Sequence, residues 1–167
     1  MCAAVAALLL MPAYPAASGT GPGGPGDGTL SVKRGRGTIA LNIRGAMIVR
    51  VAKGRITAKD PDITDGSGLG VAGCDNSRVD RSDDFPDVDV VKFCKGTDLR
   101  LRAIGGRYQI AITGSGINLS LVGRGIAVID GSGGDGPDGV YSVNDGDYQS
   151  LPDETKRIPI TAPPEPG

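Results

Sequence analysis

TLSVKRGRGTIALNIRGAMIVRVAKGRITAKD, residues 29–60, is the stretch on which the fold turns. Leu30/Val32, Ile39/Leu41/Ile43 and Ile56/Ala58 each alternate with polar neighbours. A period of two places apolar side chains on one face of an extended chain and polar ones on the other. Gly35, Gly37, Gly45 and Gly54 punctuate the stretch, a pattern that suits short strands joined by tight turns. It predicts four strands.

A second block, Thr97 to Asp130, repeats the habit. Its predicted inward sets are Leu99/Leu101/Ala103, Tyr108/Ile110/Ile112, Ile117/Leu119/Leu121 and Ile126/Val128, with Arg100 and Arg102 on the opposite face of their strand. Alternation of this kind means one buried and one solvated face, as in antiparallel sheets and unlike a doubly covered parallel sheet. No window carries a 3.6-residue period. The expected fold class is all-β: an antiparallel sandwich or barrel-like domain of about ten short strands, with a short β-solenoid as the alternative. Gly35-Arg-Gly-Thr-Ile-Ala-Leu-Asn-Ile-Arg-Gly45 also parallels Gly114-Ser-Gly-Ile-Asn-Leu-Ser-Leu-Val-Gly123 across a one-residue gap, which raises the possibility of an internal duplication.

Composition agrees. The 167 residues include 28 Gly and 12 Pro but only 4% aromatics, a load of turn-formers that favours strands over helices. The length suits one domain. His and Trp are absent. Without histidine there is no Ser-His-Asp or Cys-His nucleophile, no histidine-bound zinc or copper and no ordinary proton shuttle near neutral pH. A non-enzymatic role is expected.

Residues 3–11, AAVAALLLM, form an apolar run of signal-peptide length, followed by Pro12, Pro15 and the small residues Ala16, Ala17 and Ser18. No Lys or Arg precedes the run. The expected organisation is a signal peptide over 1–18, a Gly/Pro-rich spacer over 19–28, one β domain over 29–161 and a disordered tail over 162–167. The run is too short for a stable membrane span, which takes roughly 20 residues. Loss of the leader removes Cys2 and leaves Cys74 and Cys94 as an even pair, expected to form a disulfide in an oxidising, extracytoplasmic compartment.

Charge is segregated along the chain. Residues 29–59 hold eight Lys or Arg and no acid, whereas residues 60–90 hold nine Asp and only Arg78 and Arg81 as charged partners apart from these. Lys33, Arg34, Arg36, Arg44, Arg50 and Arg55 are therefore candidates for a face that binds a polyanion such as an acidic extracellular glycan. The competing reading folds the aspartate-rich connections back over the basic strands, and the net charge of −1 suits such compensation. Scarce aromatics argue against single-stranded nucleic acid, which is usually held on stacking platforms.

Gly133-Gly-Asp-Gly-Pro-Asp-Gly-Val-Tyr141 fits the nonapeptide of calcium-binding β-rolls. Asp138, with Asp135 beside it, would be the oxygen donor to calcium. Such sites are built by stacking consecutive repeats, and this chain has one copy, so turn chemistry alone is the stronger reading; no other cofactor is expected. Asp60-Pro-Asp-Ile-Thr-Asp-Gly66 reads as turns. The clustered carboxylates of Asp80, Asp83, Asp84, Asp87 and Asp89 could supply a glycosidase acid/base pair, but they read better as a solvated charge run.

Gly114-Ser-Gly-Ile-Asn-Leu-Ser-Leu-Val-Gly-Arg-Gly-Ile-Ala-Val-Ile-Asp-Gly131, with Ile104-Gly-Gly-Arg-Tyr-Gln-Ile110 before it and Tyr141-Ser and Ser150-Leu-Pro-Asp-Glu after it, resembles small secreted β-rich proteins of uncharacterised function from high-GC actinobacteria. The resemblance implies fold class and export and attaches no chemistry. The Gly-Ile-Ala-Val-Ile-Asp-Gly segment also looks like turns of pectinase-type β-helices, but their enzymatic residues have no match here. The sequence thus leads to a secreted envelope or extracellular protein of unknown role, with a polyanion-binding module, a calcium-binding domain and a carbohydrate-active enzyme as successive alternatives.

Overall fold

The computed structural model describes residues 26–61, 68–81, 90–133 and 137–162, with backbone alone at 80, 81 and 90. The expected leader, most of the spacer and nearly all of the tail lie outside the described residues. Eight strands are present: β1 (Gly28–Asp60), β2 (Gly68–Ala72), β3 (Asn76–Arg81), β4 (Val90–Ile104), β5 (Arg107–Gly131), β6 (Val140–Val143), β7 (Gln149–Ser150) and β8 (Lys156–Ile160). They form one sheet in the order β2-β4-β1-β5-β8, with β3 beside β4, β6 beside β1 and β7 beside β6. Every pairing is antiparallel. The protein is all-β and sandwich-like; the sheet folds over but does not close into a barrel, and antiparallel pairing throughout is incompatible with a parallel solenoid.

The strands are fewer and longer than the glycine spacing predicts. β1 runs for 33 residues and β5 for 25, because the glycines bend these strands without ending their ladders. Residues 28–44 pair with 123–107 along one edge, and residues 37–59 pair with 131–109 along the other. Between 37 and 44, β1 therefore has β5 on both sides, so that Ile39 faces both Ile112 and Ile129. The two stretches alike in sequence meet only at their ends, Gly37 opposite Gly114 on one edge and Gly45 opposite Gly123 on the other. Gly105-Gly106 has the composition of a hairpin turn, yet β4 and β5 lie head to tail along one edge of β1, with Ala103 opposite Met47 and Arg107 opposite Arg44. The dipeptide is a jog in a continuous path.

One row of glycines crosses five neighbouring strand segments. Gly96 faces Gly54, Gly54 faces Gly114, Gly114 faces Gly37, and Gly37 faces Gly131. A Cβ on Gly54 would stand 2.2 Å from the Thr113 carbonyl oxygen, one on Gly114 2.3 Å from that of Lys53, and one on Gly37 2.1 Å from that of Asp130. Those neighbours are backbone atoms held in ladders and cannot swing away. Glycine is required along this seam because the chains touch backbone to backbone.

Burial follows the alternation over most of the chain. The inward sets of β1 and β4 and those of β5 up to Leu121 are buried, and Tyr108 is fully enclosed with its hydroxyl donating to the Ile104 carbonyl at 2.9 Å. One phase differs: Ala127 and Ile129 are buried rather than Ile126 and Val128. The inward phase set by Ile117, Leu119 and Leu121 continues unbroken past Gly123, and the small Ala127 faces Ile158 of β8. The polar connection expected over Pro61 to Asp89 contains β2 and β3, both paired with β4. Cys74, between them, is bonded to the buried Cys94 of β4, with Cα atoms 5.3 Å apart and a sequence separation of 20. The C-terminal part contributes the short strands β6, β7 and β8.

Two outcomes test this architecture. Gly54→Ala and Gly114→Ala are each expected to cost about 3 kcal/mol or more, whereas Gly68→Ala, with open space around it, should lie within about 0.5 kcal/mol of the parent; urea unfolding reads both. Reducing Cys74–Cys94 should lower stability by about 3 kcal/mol, the chain-entropy value for a loop of this size.

Candidate functional site

The outer face of β1 carries Arg44, Ile48 and Arg50, which alternate with the buried Met47 and Val49. Antiparallel register brings further arginines beside them. Arg44 faces Arg107 on one side and Arg124 on the other, and Arg50 faces Arg100. Arg102 lies opposite Ile48, whose side chain is 59% exposed. Directly opposed like charges destabilise a sheet, so these rows are a burden on the fold. Among the described residues two of these arginines have a carboxylate partner: Arg100 bonds Asp98 at 2.7 Å and Arg124 bonds Asp27 at 3.2 Å. Arg50, Arg100 and Arg102 also rim an open groove of about 340 Å³ floored by Ile48, Gly70 and Ala72.

The six basic residues singled out from the sequence do not share one surface. Arg44 and Arg50 belong to the arginine rows. Arg55 faces Lys95 across the β1–β4 ladder, on the far side of the bend at Lys53-Gly54. Lys33, Arg34 and Arg36 sit where β1 turns its first corner. There the Lys33 ammonium stands 4.0 Å from the centre of the Tyr148 ring, and the Arg34 amide donates to Asn118 Oδ1 at 3.2 Å. The Arg36 amide donates to the Asp138 carbonyl at 2.7 Å. Lys33, and then the Ser31 hydroxyl, hold the Tyr148 phenol below its usual range. Arg100, Arg102, Arg107 and Arg124 escape a reading confined to residues 29–59. The outward phase of Arg100 and Arg102 was a usable signal; their register against Arg50 and Ile48 was not.

Of the aspartates considered as an acid/base cluster, Asp83, Asp84, Asp87 and Asp89 lie outside the described residues, as does the side chain of Asp80.

Asp135 also lies outside them, but Asp138 is well defined. It is 6% exposed, and its carboxylate accepts hydrogen bonds from Ser132 Oγ at 2.6 Å and from the Gly133 amide at 3.1 Å. The Ser132 hydroxyl is the main cause that lowers its pKa below the usual 3.8, against an opposing effect of burial, with the Gly133 and Ser132 amides and the Arg36 charge adding to it. In this arrangement Asp138 fastens the 131–139 loop to the sheet. Among the described residues no three His, Cys, Asp or Glu side chains converge as a metal site.

Tyr141 and Lys156 meet beside a cavity of about 200 Å³. The Tyr141 hydroxyl accepts from Lys156 Nζ at 2.7 Å and donates to Gln149 Oε1 at 2.9 Å, which ties β6, β7 and β8 together. No buried side-chain nitrogen or oxygen among the described residues lacks a hydrogen-bond partner.

No family model, curated protein or solved structure matches the chain. The chemistry of the basic face is therefore argued from its own charges.

A carboxylate held below its ordinary pKa stabilises the folded state above that ordinary value, and the contribution is lost as pH falls through the depressed one. Asp138→Asn should thus lower the thermal midpoint near neutral pH, with the gap to the parent narrowing below about pH 4; a gap constant down to strong acid would contradict the assignment. Because both carboxylate oxygens already accept protein donors, the midpoint should be the same in millimolar calcium as in excess EDTA. A calcium-dependent rise abolished by Asp138→Ala would reassign the loop as a metal site.

Proposed function

We propose that this protein is a non-enzymatic, extracytoplasmic module that binds an acidic polymer, an acidic glycan in the first place, along its arginine rows. The observation that carries the reading is the register: Arg107, Arg44 and Arg124 stand abreast on three adjacent strand segments, and Arg100 faces Arg50. A fold does not gain stability by opposing like charges, whereas a polymer with regularly spaced anions neutralises them in sequence. Arginine suits the task, since its planar fork bonds carboxylate or sulfate in a bidentate manner.

Export is part of the proposal. It is supported by the apolar segment at residues 3–11 and by the Cys74–Cys94 disulfide, a bond that persists in oxidising compartments. No helix among the described residues is long and apolar enough to cross a membrane. A glycan is preferred to single-stranded nucleic acid because aromatic stacking platforms are absent from the arginine rows.

The test is retention on an immobilised acidic polysaccharide over a salt gradient, with a neutral polysaccharide as control. The parent should be held at low salt and released as screening rises. Arg44→Gln and Arg50→Gln should each weaken affinity about two- to fivefold. Each should also leave stability unchanged or raise it by up to about 0.5 kcal/mol, because an opposed like charge is removed. Undiminished retention of a triple variant that also carries Arg107→Gln would refute the proposal.

A further inference from the structure

Where the glycine seam meets β4, the outer surface opens into a second groove of about 540 Å³, within the roughly 300–1,000 Å³ common for small-molecule sites. Its floor is bare backbone at Gly54, Gly96 and Gly114. Lys53, Arg55 and Lys95 line it as basic residues, and Thr97, Thr113 and Asn76 as neutral polar ones. One acid intrudes. Asp75 also lines the groove, its amide donating to the Lys95 carbonyl at 3.0 Å and its carboxylate lying over Gly96, where a Cβ would meet Oδ2 at 2.9 Å.

A site for bare phosphate or sulfate would have no use for that carboxylate, which repels every anion that enters. A sugar ring with one carboxylate and several hydroxyls uses all of these groups at once. The ring carboxylate pairs with the cations, a hydroxyl donates to Asp75, and the others meet Thr97, Thr113 and Asn76. Asp75 then acts as a filter against simple polyanions, an element of specificity by repulsion.

We propose that this groove is a subsite for one uronic-acid-type sugar unit of the bound polymer. The proposal rests on the polymer-binding reading of the arginine rows and adds recognition of the monomer to it.

The test uses the full chain, a uronic acid tetrasaccharide and a linear polyphosphate of matched charge as probes, and amide NMR shifts as the readout. Saturable shifts at the Gly54, Gly96 and Gly114 amides are expected with the tetrasaccharide. Asp75→Asn should weaken the tetrasaccharide several-fold yet strengthen polyphosphate. Thr97→Val, at an exposed position that carries no core contact, should weaken the tetrasaccharide alone by about three- to tenfold, and Arg44→Gln should weaken both probes. If Asp75→Asn strengthens both probes alike, or if shifts arise only along the arginine rows, the subsite is refuted while polymer binding stands. If neither probe binds, both proposals fall.

Discussion

Where the sheet folds over, the carbonyl oxygens of one strand occupy the positions that the Cβ atoms of the next would need. Thr113 and Lys53 reach across in this way to Gly54 and Gly114, each within 2.3 Å of a built Cβ. The rest of the molecule depends on this contact. It allows β1 and β5 to bend while their ladders continue, so that both edges of each are used and each pairs with the other in two registers. A chain of about this length could otherwise cover a core only with more strands and more turns, each turn leaving backbone groups to be satisfied by other means. Bending at glycine keeps those groups paired. The loss is local: a glycine in a strand forgoes side-chain packing and gives up more conformational entropy on folding.

The same bends determine where the chemistry lies. Because β1 faces β5 on one edge and the β4–β5 run on the other, outward residues of three chain segments are brought abreast, and Arg44 is placed between Arg107 and Arg124. At the seam the alternation slips, so that Ala52, Lys53 and Arg55 are all exposed between the buried Val51 and Ile56. Rows of cations lie on the flat parts of the surface and a groove lies at the corner. Both follow from the backbone path, since the floor of the groove is the seam itself.

Much of the fold was legible because a half-buried strand writes its two faces into sequence as alternation. Leu30 to Ala58 and Leu99 to Leu121 show this, and their buried sets agree with it residue by residue. Glycine marked the bends correctly but not their consequence, since Gly35, Gly45 or Gly54 can end a strand or curve it and only the partner strand decides which. Ile126 and Val128 misled because bulk was read as burial, whereas the inward phase carried on through Ala127. β2 and β3 were hidden by the polar, aspartate-rich composition around them; they are covered on one edge by β4 and have little core to contribute. Of the site, Arg44, Arg50 and Arg55 were visible as cations on outward positions, but their partners were not. Register is a relation between distant segments, and the pairing of Arg50 with Arg100 is written in neither alone.

Like charges in register pose an energetic question. Arg44–Arg107, Arg44–Arg124, Arg50–Arg100 and Arg55–Lys95 are opposed directly, and at about 0.2–1 kcal/mol for each such pair they cost about 1–4 kcal/mol together. A disulfide closing a loop of about this size contributes on the order of 3 kcal/mol, which is comparable. Its placement is telling: Cys94 lies on β4 beside Lys95, so the crosslink ties the β2–β3 connection to the strand where Arg55 and Lys95 are opposed and where the groove opens. The carboxylates of Asp98 and Asp27 relieve Arg100 and Arg124 only at exposed or partly exposed positions, where an ion pair is worth little. Arg44, at the centre of the longest row, has no ion pair among the described residues. Under the proposed polymer-binding role, an anion approaching from solvent would offset this charge, on a strand whose position is fixed by the glycine seam.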